Sequence, residues 1–118
     1  MADSVLRDKS KEFAKKIVLV CREIKAEQRE SVLSNQLLRC GTSIGANVHE
    51  AQYAQGLKDF ISKLEIALKE CYESEYWLDL LHETGCLSEQ AYQPPRNDCG
   101  ALRRMLISSV TTAKNKLV

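Results

Sequence analysis

Asp79 and His82 stand three residues apart, and Glu75 lies one helical turn before Asp79. At that spacing a carboxylate and an imidazole share one face of a helix, the arrangement by which helical bundles hold paired iron or manganese ions. Such a centre also needs carboxylates from all four helices and a second carboxylate–histidine pair. The only other histidine, His49, has Ala46 three residues before it. No metal ligand is therefore expected, and Glu75 and His82 read as a half-buried pair linked at one end of the fold. The five cysteines, Cys21, Cys40, Cys71, Cys86 and Cys99, are odd in number and widely spaced, with no C-x-x-C. That pattern fits neither a secreted disulfide framework nor a zinc site. Cys40 and His49 project to different sides of their helix and make no nucleophile–base pair, and His49 reads as a partly covered surface histidine. No G-x-S-x-G, P-loop or dinucleotide fingerprint occurs. The expectation is a chain with no catalytic residue, no cofactor and no enzyme activity.

The elements that would position these groups are helices. Projection at 100° per residue gives four amphipathic stretches and no strand-like alternation. Leu6, Phe13, Ile17, Val20, Cys21 and Ile24 form the first stripe, between about Ser4 and Ala26. The polar run KAEQRES breaks it, and Ser31 or Ser34 is placed to cap the next helix. Leu37, Leu38, Cys40, Gly41, Ile44, Gly45, Val48 and Ala51 form the second arc, which contains two glycines. Each glycine costs a helix about 1 kcal/mol against alanine, so close packing against a neighbouring backbone is expected to offset them. A third helix runs from about Leu57 to Thr84 on Leu57, Phe60, Ile61, Leu64, Leu68, Cys71 and Leu78, with Gly85 as its C′ residue. Ser88 caps a short turn, and Pro94-Pro95 is expected to break or kink any helix that reaches it. A last helix from about Asp98 turns Leu102, Met105, Leu106, Val110, Ala113 and Leu117 inward. Four stripes with short connections predict an all-α fold, an antiparallel up-down four-helix bundle, as a single domain over residues 1–118.

Composition narrows the function classes. Apolar residues make up 44% and charged residues 28% of the 118, and the net charge is +1, which is not that of a dedicated nucleic-acid binder. No apolar run of membrane-spanning length occurs and the start, MADSVLRDKSKEF, is not a secretory signal, so a cytoplasmic location and no membrane partner are expected.

Two helices carry a second face that the core does not explain. Arg39, Ser43, Asn47 and Glu50 lie opposite the core arc of the second helix, and Ile66, Trp77, Leu80 and Leu81 project from the third among Glu70 and Glu73. Apolar anchors among paired charges suggest a subunit interface. Between Leu57 and Thr84 acidic residues outnumber basic ones seven to three, whereas Arg103, Arg104, Lys114 and Lys116 follow Ala101 without an acidic counterpart. Either these two helices complement each other, or the basic end contacts structured RNA or DNA.

The segment SIGANVHEAQYAQGLKDFISKLEIALKECYESEYWLDLLHETG, Ser43 to Gly85, carries S-I-G-A-N-x-x-E-A, then D-F, K, A-L-K-E and E-x-E-Y-W-L. With Q-L-x-R before it and R-M-L-I from Arg104 to Ile107, this resembles the bacterial four-helix-bundle proteins related to those encoded in 23S ribosomal RNA intervening sequences. The similarity runs from about Phe13 over most of the chain. It implies a four-helix bundle, a ring-like homopentamer and no enzyme, with Arg39, Asn47, Glu50, Lys69, Glu70, Glu73 and Trp77 as family-type positions. The accessory proteins of diversity-generating retroelements share the bundle and are thought to bind nucleic acid, but they are strongly basic and this chain is not.

Overall fold

The computed structural model describes residues 4–117 and contains four helices: α1 (Ser4–Gln28), α2 (Val32–Ala51), α3 (Leu57–Glu83) and α4 (Glu89–Asn115). They form a bundle 50 Å long and about 20 Å across. Each helix runs antiparallel to the one before it. The place a Gly45 side chain would occupy adjoins Ser10 and that of Gly41 adjoins Ile17, while Cys21 bonds to Ser34. Glu50 meets Lys63 and Cys40 meets Ser74; Glu65 meets Lys114 and Asp79 meets Arg96. Lys16 and Asp98 tie α1 to α4.

The predicted stripes form the core. Leu6, Phe13, Ile17, Leu37, Ile44, Leu64, Leu78, Leu102 and Leu106 are fully buried. Both inward glycines of α2 abut α1 as the packing argument requires. A Cβ on Gly41 would stand 2.9 Å from Ile17 Cγ2, and one on Gly45 3.2 Å from the Ser10 backbone oxygen. Leu81 departs from expectation: it is buried in the core and is not outward-facing. Leu117, expected inside, is exposed beyond the end of α4.

The helix ends show one agreement and two corrections. Gly85 has φ +83° as the C′ residue of α3, its N–H donating to His82 O while Cys86 N–H donates to Leu81 O, a complete Schellman motif. At the start of α2 neither Ser31 nor Ser34 caps. The Glu30 carboxylate accepts from the N–H groups of Val32, Leu33 and Ser34, and Arg29 turns the chain with φ +54°. Pro94 and Pro95 lie inside α4, which starts at Glu89 and not near Asp98. Ser88 caps this whole helix, accepting from Ala91 N–H at 3.1 Å. The prolines remove bonds to the carbonyls of Gln90 and Ala91 only, in the second turn, where Gln90 is exposed. Pro95 is buried, and Tyr92 and Arg96 fix the same turn to α3.

Candidate interaction surface

Of the predicted strip on α2 and α3, Arg39, Glu70, Glu73 and Trp77 gather into one cluster at the outer seam of the two helices. Arg39 Nη2 pairs with Glu73, its Nη1 lies 3.5 Å from Glu70 Oε2, and Trp77 Nε1 donates to Glu73 Oε2 at 2.9 Å. The partners of Arg39 are thus on its own chain. Trp77 is half-buried against the core, which its expected outward projection did not anticipate. Asn47 bonds locally to Ser43, and Glu50 accepts from Lys63 at 3.0 Å, a bond that raises the lysine's pKa. Ile66 is 41% exposed, and the outer side of α3 also carries Tyr72, 51% exposed, and Tyr76, 59% exposed. Tyr76 meets Trp77 edge-on with ring centroids 5.0 Å apart.

The seam between α3 and α4 holds a second network. Glu75, only 8% exposed, accepts from Arg96 Nη1 at 2.9 Å and Arg103 Nε at 3.0 Å. Asp79 accepts from Arg96 Nε at 2.8 Å and the Tyr92 hydroxyl at 2.6 Å. Burial pushes the Asp79 carboxyl upward, but the bonds from Arg96 and Tyr92 outweigh it and hold the group below its ordinary value. The Glu75–His82 pair does not form. His82 stacks on Tyr92 at 4.0 Å and places Nε2 2.9 Å from Glu89 Oε1, because the longer α4 brings its first two turns alongside the end of α3. His49 is exposed, not partly covered, and lies 5.5 Å from the Tyr53 ring.

The α3–α4 seam also accounts for half of the predicted basic end. Arg103 is held by Glu75 and lies over the Tyr72 ring, and Lys114 pairs with Glu65 at 2.8 Å. Arg104 is exposed, with Nη1 folded toward Gly100, and Lys116 is exposed just past α4. The cations that escaped prediction are on α1: Arg7, Lys11, Arg22 and Lys25. Projecting charged as well as apolar residues of that helix finds them, since all four fall within about 60° of arc.

Four thiols are inert by position. Burial pushes Cys21 and Cys40 up to about 11. Cys99 is raised by its bond with Cys71 and by burial, and all four are free and buried. Cys86 alone is partly exposed. A native titration with a disulfide reagent near pH 8 is expected to modify Cys86 only, with the other four reacting after denaturation. Rapid modification of two or more native thiols would contradict this packing.

The family model described as 23S rRNA-intervening sequence protein matches residues 2–108. Among solved structures, the chain is similar to a protein of unknown function from the S23 ribosomal protein family of Bacteroides thetaiotaomicron. That likeness has 48% identity and a TM-score of 0.87, covering 89% of this chain and 97% of the other. No curated protein matches.

Proposed function

This chain belongs to the 23S rRNA-intervening sequence protein family, and on that footing we propose that it is a non-enzymatic, cytoplasmic homo-oligomer, a ring of five copies serving as a scaffold or interaction module. The carrying observation is the outer face of α3. Ile66, Tyr72 and Tyr76 are each two-fifths or more exposed there, spread over the outer half of the helix from the half-buried Trp77 on the α2 side to Tyr72 on the α4 side. Aromatic and β-branched residues grouped on one exposed face are the composition of an interface centre, and Arg39 with Glu70, Glu73, Asn47 and Glu50 supplies its polar rim. Ser43, bonded to Asn47, extends that rim along α2. In a ring each chain has two contacts. At about 800 Å² per contact, these take roughly a quarter of the chain's 6820 Å².

The test is the pair Ile66→Glu and Tyr76→Glu in one chain. Neither side chain is buried in the bundle, so the helical circular-dichroism signal is expected to persist while the light-scattering mass falls to that of a single 13.3 kDa chain. Retention of the parental oligomer mass by this variant would place the interface elsewhere.

A further inference from the structure

The outer groove between α1 and α2 has a charge distribution that the core and the α3 face leave unused. Arg7, Lys11, Ala14, Val18, Arg22 and Lys25 occupy one narrow arc of α1, and that arc contains no carboxylate. Arg7, Lys11 and Ala14 face Thr42, Gly45, Ala46 and His49 of α2 across a cleft of about 280 Å³. Between Val32 and Ala51 the only acidic residue is Glu50, engaged with Lys63 on the α3 side. Among the described residues Lys11, Arg22 and Lys25 make no ion pair and share one arc of α1, whereas the other unpaired cations, Lys9, Arg29, Lys58, Lys69, Arg104 and Lys116, are spread over other faces and elements. The nearby acids are committed or turned away. Asp8 lies 4.0 Å from Arg7, Glu12 holds Lys15, and Glu30 caps α2.

We propose that this groove binds the sugar–phosphate backbone of a nucleic-acid duplex, without regard to base sequence. From Arg7 to Lys25 is 18 residues, about 27 Å of helix at 1.5 Å per residue, long enough to track several phosphates along one strand. The cleft floor is small, Ala14, Thr42, Gly45 and Ala46, so a phosphate ridge can approach the flanking cations. The one ring in its lining is the His49 imidazole, with no Phe, Tyr or Trp to stack a run of unpaired bases, and no large apolar pocket lines it to anchor an acidic peptide, which favours backbone contact with a duplex over either alternative. The site lies on α1 and α2, away from the outer α3 face, and does not depend on how many copies assemble.

The experiment is fluorescence anisotropy of the full chain with a labelled DNA duplex and a labelled RNA hairpin, across a salt series. Both probes are expected to bind at low salt, with affinity falling linearly in log salt. Lys11→Gln, Arg22→Gln and Lys25→Gln together are expected to reduce the slope on DNA by about 3 and the low-salt affinity by at least about tenfold. Arg22→Gln alone, at an exposed position, reduces the slope by about 1 and stands in should the triple variant lose its helical signal. The control Arg104→Gln with Lys116→Gln leaves both readouts near the parent. Absence of low-salt binding, an unchanged slope in the α1 variants, equal weakening by the α4 control, or polyglutamate binding as tight as the duplex would each overturn the proposal.

Discussion

Replacing Arg96 and Arg103 together by leucine is expected to destabilise the bundle by about 3–5 kcal/mol near neutral pH. Glu75 is buried and its carboxylate accepts from both guanidinium groups, so the double variant strands a charge in the α3–α4 seam. Removing one partner of a buried ion pair costs more than replacing the set with apolar residues. Adding Glu75→Leu to the double variant should therefore recover most of the loss in denaturant unfolding. Asp79 gives the effect a pH signature. Its carboxyl is held below the ordinary value in the folded chain, so its contribution is complete above about pH 4 and is lost as the pH falls through the folded value. In the Arg96 variants this acid limb should be shallower. An equal loss in the double and triple variants, or an unchanged acid limb, would show that the network does not hold the seam.

Gly45→Leu is expected to cost about 1–3 kcal/mol, several degrees of melting temperature, despite leucine's better helix propensity. The obstacle is backbone: even a Cβ at this position meets the Ser10 carbonyl oxygen at 3.2 Å, and α1 cannot yield there as a side chain could. Gly100 provides the contrast. Its Cβ would meet nothing nearer than Arg104 Nη1 at 3.5 Å, within a regular stretch of α4. Gly100→Ala should then stabilise by about 0.5–1 kcal/mol through helix propensity alone. Thermal unfolding of the two variants decides the point, and a Gly45→Leu chain as stable as the parent would mean that α1 and α2 are not fixed by glycine contact.

The bundle was legible because apolar spacing at 3.6 residues encodes a buried face directly. The two α2 glycines, the Gly85 terminus and the Ser88 cap were legible for similarly local reasons. Most of what escaped the sequence depends on partners distant in the chain. Pro94-Pro95 reads as a break, yet the loss is confined to two acceptors early in α4 and is offset by Tyr92 and Arg96 bonding to Asp79 thirteen and seventeen residues away. The same extension of α4 redirects His82 to Glu89 and leaves Glu75 to two arginines. Leu81 looked surplus to the α3 stripe because a helix in contact with two neighbours buries a wider arc than a single stripe. Among the interface candidates, Arg39, Glu70, Glu73 and Trp77 do meet in space, but pairing within one chain was not distinguishable from pairing across two. Glu30 as a cap was hidden because its carboxylate reaches the α2 amides from outside the usual cap position.

The exposed outer face of α3 with Ile66, Tyr72 and Tyr76 is the feature on which the functional reading turns. Its most direct test is the light-scattering mass of the unmodified chain followed over a dilution series. A mass about five times 13.3 kDa that persists to low micromolar concentration is the predicted result. A mass of one chain throughout that range would contradict it.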